Sequence, residues 1–195
     1  MYDVKSINNI TDTVYTRECY LCDLRNNDLK DIDKTLNTPI RASNLKYGIS
    51  SLHAWIRCFE YLLNIAYRLS ICKSIAQKVD KQLLENHKKY IQNQFKVKMN
   101  LIVDQPKQGA GNSNDGNTAR AFFSNEQKSS EVTGLDVEII KRFHVILQTL
   151  SSGHIIDHHK YKEYAVETAR MLNRKYDWYT MTPTVHKVLA CMVLG

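Results

Sequence analysis

The side chains best suited to chemistry are thiols and imidazoles, and they sit at opposite ends of the chain. Cys19-Tyr-Leu-Cys22 is a thiol pair separated by two residues within a turn. That spacing presents two thiolates to one Zn²⁺ ion, but it also serves a redox pair or two unrelated thiols. A metal site needs a second half, whereas a redox pair does not. His186 and Cys191 offer that half at His-x4-Cys spacing, inside the range of zinc half-sites. Together the four would form a Cys₃His site tying the first 22 residues to the last helix. Such a clasp would also order an otherwise irregular N-terminal arm.

A second unusual stretch is QGAGNSNDGNTARAFF, residues 108–123. It holds three of the seven glycines, Gly109, Gly111 and Gly116, interleaved with Asn112, Asn114 and Asn117. Neither phosphate-loop signature is present: there is no GxxxxGK(S/T) and no strand-to-helix GxGxxG. Glycines let backbone approach a ligand closely. Asparagines offer donors and acceptors suited to base edges and phosphate oxygens. Arg120 follows at a helix start, anchored by Phe122 and Phe123. A plain surface loop would share the Gly and Asn content but has no need of the Arg-Ala-Phe-Phe. Asp3 stands alone near the start. Two-metal phosphoryl chemistry needs two or three carboxylates around its ions, so by itself Asp3 reads as a surface residue.

The elements that must position these groups are helical. The chain has 195 residues and three prolines, with 43% hydrophobic and 24% charged residues, as in an ordinary globular protein. Residues 1–48 form a polar arm carrying the CxxC, and 37–48 read as a linker. Residues 49–195 read as a helical domain. Leu52, Trp55, Ile56, Phe59, Leu62, Leu63, Ala66 and Leu69 repeat at three and four, and weaker apolar positions continue to Phe95, enough for two helices. Cys58 and Cys72 fall in that pattern as small core residues. KMNLIVD, residues 98–104, is β-like. Further helices span Leu135 to Leu150, stopped by Gly153, and run on from Asp157 and from Thr182-Pro183. The chain ends on Met-Val-Leu-Gly with no polar closing segment and looks cut. His154, His158 and His159 read as loop and helix-face residues, not ligands.

The net charge of +7 is uneven. Between Lys73 and Lys98 lie seven lysines against only Asp80 and Glu85. Such a stripe attracts phosphate backbones or an acidic surface, and it equally suits a solvated helix face. No apolar run is long enough to span a bilayer, and MYDVKSINN is not a signal peptide. No membrane partner is expected.

These motifs form a set. RECYLCDL, SSLHAWIRCFEYLLNIAYRL, KVKMNLIVDQPKQGAGNSNDGNTARAFF, SEVTGLDVEIIKRFHVILQTLSSGH and YAVETARMLNRKYDWYTMTPTVHKVL cover nearly the whole chain in order. In them the chain resembles the Transib-type DNA transposases of insects, relatives of the catalytic subunit of the V(D)J recombinase. SNDGNTARAFF and TVHKVL are the specific segments; the CxxC alone is not. The resemblance implies a mostly α fold with little sheet: the helical, zinc-containing insertion of an RNase-H-like DDE transposase. Cys19, Cys22 and His186 would be zinc ligands. Where the family has a second His, this chain has Cys191, which is an acceptable ligand. Asp3 would match a catalytic Asp, with the other two carboxylates of the triad before Met1 and after Gly195. Asn117 and Arg120, with Asn114 beside them, would contact double-stranded DNA at the terminal inverted repeats. Cleavage and strand transfer, with Mg²⁺ or Mn²⁺, would belong to the full-length protein, a nuclear homodimer. The alternative is a non-catalytic, zinc-stapled DNA-binding or interaction protein, a domesticated remnant.

Overall fold

The computed structural model describes residues 18–25, 27–106 and 112–191. Asp3 and the glycines of residues 109 and 111 lie outside them. The fold is mostly helical, as expected. Among the described residues β pairing is confined to isolated bridges, Glu18 with Arg25 and Pro106 with Asn112. No described helix is long and apolar enough to cross a membrane. The chain forms two compact units. One combines residues up to Ala54 with those from Gln148 onward, and the other runs from Trp55 to Leu147.

The helices are α1 (Ile32–Asn37), α2 (Ser51–Arg68), α3 (Lys81–Met99), α4 (Gly116–Ser124), α5 (Glu126–Thr133), α6 (Val137–Ser151), α7 (His158–Lys175) and α8 (Pro183–His186). A π-helical turn, Lys187–Cys191, continues α8. The long pattern after Gly48 is two helices, α2 and α3, as its length required. Cys58 is buried as expected, but Cys72 is exposed. The helix stops at Arg68, so Cys72 falls in the turn beyond it at φ 48°, its thiol donating to the Leu69 carbonyl.

In the Trp55–Leu147 unit the core is aromatic. Phe122 contacts Phe59 and Phe123 at 5.0 Å between centroids, and Trp55 meets Phe123 edge-on at 5.6 Å. Offset and edge-to-face pairs of this kind add to the burial of their large apolar surfaces. The β-like run 98–104 is not a strand. Its first residues end α3, and Asn100 closes that helix in the left-handed conformation at φ 53°. Residues 101–105 form no strand with any described residue, and side chains supply the acceptors for two of their amides. Asp104 N–H donates to Asn114 Oδ1 at 2.7 Å, and Gln105 N–H donates to Ser113 Oγ at 3.0 Å. Asp115 then caps α4 by accepting from Thr118 N–H.

In the other unit, α1 and α7 pack on the π turn. Asn173 Nδ2 donates to the Lys30 carbonyl, and Arg170 pairs with Asp33 at 2.8 Å. The described part of the polar N-terminal arm is less irregular than its composition implies. Asp31 caps α1 by accepting from Lys34 N–H, and a 3₁₀ turn spans Ala42–Tyr47.

One buried-edge contact gives the Trp55–Leu147 unit a pH dependence. His144 Nδ1–H donates to Glu126 Oε1 at 2.7 Å, and this bond holds the Glu126 carboxyl below its ordinary value of 4.5. A depressed carboxyl stabilises the fold above its unfolded pKa, and that stability is lost as pH falls through the folded value. Glu126→Gln should therefore cost about 1 kcal/mol at neutral pH. The cost should vanish in acid below the folded pKa, as read by urea unfolding at the two pH values. An equal cost at both would exclude the ionic contribution.

Candidate metal centre

The CxxC is held as a tight knuckle. Cys19 N–H donates to the Leu24 carbonyl at 3.0 Å, and the amides of Cys22 and Asp23 turn back to the Cys19 carbonyl. Asp23 makes this turn possible at φ 58°, a conformation that Asp tolerates better than bulky residues. The knuckle is also pinned from outside. Asn44 Nδ2 donates to the Tyr20 carbonyl, Arg41 N–H to the Leu21 carbonyl, and Tyr20 OH to the Gly48 carbonyl. The linker thus serves as a brace for the thiols.

At the other end, Thr182 precedes Pro183 at the first helical position of α8. His186 and Cys191 are five residues apart. In a regular α-helix they would lie about 140° apart around the axis. The π turn from Lys187 to Cys191 winds more residues into each turn and brings them towards one side.

The four side chains meet. Cys19, Cys22, His186 and Cys191 are all buried, and their ligand atoms lie within 4.8 Å of one another. Cys19 Sγ is 3.7 Å from Cys191 Sγ, Cys22 Sγ is 3.3 Å from Cys191 Sγ, and Cys22 Sγ is 3.4 Å from His186 Nε2. Two thiolates at tetrahedral positions about 2.3 Å from one ion stand about 3.8 Å apart, and a thiolate and an imidazole nitrogen about 3.5 Å. These three separations lie at or slightly below the tetrahedral values, and all four ligand atoms lie within 4.8 Å of one another. Three sulfurs and one nitrogen suit a soft or borderline transition metal.

The second shell fits as well. His186 Nδ1–H donates to the buried Leu29 carbonyl at 2.9 Å, which leaves the Nε2 lone pair facing the sulfurs. Burial lowers the pKa of this imidazole and keeps it neutral, the form that ligates. The sulfurs cannot all ionise unaided. Hydrogen bonds from Cys191 and Cys22 pull the Cys19 thiol down, whereas hydrogen bonding to Cys19 and burial push Cys22 and Cys191 up. A dication would replace the protons of the two raised thiols, so its binding releases protons and tightens as pH rises.

The other expected site residues are placed as follows. Asp3 lies outside the described residues. Asn117 and Arg120 are exposed and three residues apart, hence on one side of α4. The Arg120 guanidinium sits over the Trp55 ring, 5.8 Å from its centroid. Asn114 is buried, with its side-chain oxygen committed to Asp104 N–H. In the lysine stripe, Lys73 pairs with Asp80, Lys88 with Asp104 and Lys89 with Glu85, whereas Lys78, Lys81, Lys96 and Lys98 are exposed. His154, His158 and His159 are exposed, and among the described residues the tetrad alone has metal-site geometry. Sequence reasoning missed Lys187, which is 2% exposed beside His186. Its signal was there: a lysine inside VHKVLAC, a helix apolar on every side.

Comparison with protein-family models and with curated proteins finds no match for the chain.

If the tetrad holds a metal, its removal should loosen what the tetrad joins and spare the aromatic core. Chelator treatment should speed amide exchange in residues 18–25 and 183–191. Exchange around Phe95, Phe122 and Phe143 should change little. Uniform acceleration throughout, or none, would contradict a local metal clasp.

Proposed function

We propose that the chain is the zinc-binding helical insertion of a Transib-type DNA transposase and binds double-stranded DNA at terminal inverted repeats. The observation that carries this reading is the burial of Cys19, Cys22, His186 and Cys191 around one point, with ligand atoms within 4.8 Å. A closed four-ligand site of three thiolates and one imidazole suits a structural Zn²⁺. The four residues come from the two segments that the resemblance marks as zinc half-sites.

The DNA contact falls to Asn117 and Arg120. Both are exposed on the first turns of α4, behind the Gly/Asn-rich loop. A cation–π contact with Trp55 restrains the guanidinium of Arg120, whose donors can then serve guanine or phosphate. Asn114 acts one step back, fixing the loop to the backbone of Asp104. The exposed lysines Lys78, Lys81, Lys96 and Lys98 add a sequence-independent attraction. On this reading the protein works in the nucleus as a homodimer. Cleavage and strand transfer, with Mg²⁺ or Mn²⁺, belong to a full-length chain that completes the carboxylate set to which Asp3 contributes.

A second reading, a zinc-stapled interaction protein without catalysis, is favoured by one feature. Leu83, Tyr90 and Val97 stand exposed at seven-residue intervals along α3, a stripe suited to a protein partner.

Binding measured across salt concentrations separates the two. Arg120→Ala should cost about 1–3 kcal/mol on an inverted-repeat duplex if the arginine grips a base edge, and less on unrelated DNA. Lys96→Ala should weaken both duplexes alike and reduce the salt slope by about one. Equal affinity of wild type and Arg120→Ala on every duplex would remove α4 from the interface and leave the second reading.

A further inference from the structure

Lys187 is the most unusual charge in the molecule. It is 2% exposed, and lysine is almost never fully buried unless it is paired. Its Nζ lies 3.9 Å from the centroid of the Tyr20 ring. Tyr20 sits between the two cysteines of the knuckle, and Lys187 directly follows His186. The ammonium thus rests, in a cation–π contact, on the ring of the residue that follows Cys19, and its own residue follows His186. Among the described residues no carboxylate forms an ion pair with it; burial lowers its pKa, and the nearby Cys19, Cys191 and Cys22 oppose that shift.

Charge counting gives this placement a purpose. A divalent ion with three thiolates and a neutral imidazole carries a net charge of −1. One ammonium brings the buried assembly to neutrality. We infer that Lys187, seated on the Tyr20 ring, is the built-in counter-cation of a mono-anionic M²⁺(Cys)₃(His) centre. This rests on the reading of the tetrad as a divalent-metal site. It also makes Lys187 and Cys191 a matched pair. With histidine at 191 the centre would be neutral, and a buried ammonium beside it would have nothing to balance. The third thiolate makes the lysine useful, and the lysine makes a third buried thiolate tolerable.

The test is a coupling measurement on the whole chain. Co²⁺ affinity is read from thiolate-to-metal charge-transfer absorption, and Zn²⁺ affinity by competition against it. Lys187→Met and Lys187→Gln should each weaken binding by about 10–100-fold, the usual scale for second-shell partners of a metal site. Lys187→Arg, which keeps the charge, should recover most of the loss. In a Cys191→His background, the Lys187→Met loss should shrink to a few-fold at most. Comparable weakening by Arg, Gln and Met would overturn the inference, because packing rather than charge would then matter. So would the same Lys187→Met loss in both backgrounds. If Cys191→His binds no metal, the comparison of Arg with Met and Gln decides. Wild-type protein that binds neither Co²⁺ nor Zn²⁺ would remove the metal site itself and this inference with it.

Discussion

Three thiols and one imidazole buried against each other form an arrangement that water would not leave stable. Buried thiolates repel and are poorly solvated, and only one of the three is readily ionised without a cation. The described residues on either side of the ligands are arranged around that constraint. The knuckle of residues 19–24, its braces at Arg41, Asn44 and Gly48, the π turn, and the Leu29 carbonyl all exist where the four ligand atoms must converge. The two half-sites are 164 residues apart between Cys22 and His186. A shared ion is the economical way to fix so distant a pair, because binding free energy becomes folding free energy.

The Trp55–Leu147 unit is stabilised differently. Its aromatic cluster is fully buried and held by ring-to-ring contacts. The loop that follows α3 has side-chain hydrogen bonds in place of a sheet, and they deliver a capped helix whose outer side carries Asn117 and Arg120. The amides of that loop divide their labour: Asn114 turns inward to hold backbone, while Asn117 turns outward. Composition alone cannot make this distinction, since both residues are asparagines in one polar run.

Much of this was legible in the sequence where one local rule dominates. The apolar spacing of α2 and the caps at Asp157 and Thr182 gave helices in the right places. The cysteine and histidine spacings marked the tetrad. What escaped depended on tertiary context. The run 98–104 has strand-like residues but no partner strand among the described residues, so its β-propensity had nothing there to pair with. Cys72 continues an apolar pattern past the point where its helix ends. The burial of Lys187 against Tyr20 depends on a contact between residues 167 positions apart, which no local rule reads. The π turn has no composition of its own, and only the need for His186 and Cys191 to converge hints at it.

The central claim is that one ion joins the knuckle to the π turn through three sulfurs and one nitrogen. X-ray absorption at the zinc edge, on protein purified from cells grown with zinc, reads that shell directly. The account predicts one zinc per chain, with three sulfur neighbours at about 2.3 Å and one nitrogen at about 2.0–2.1 Å. A shell of two sulfurs with two lighter atoms would show that Cys191 does not ligate. Protein that is folded and free of metal, or bound only through nitrogen and oxygen, would contradict the account at its root.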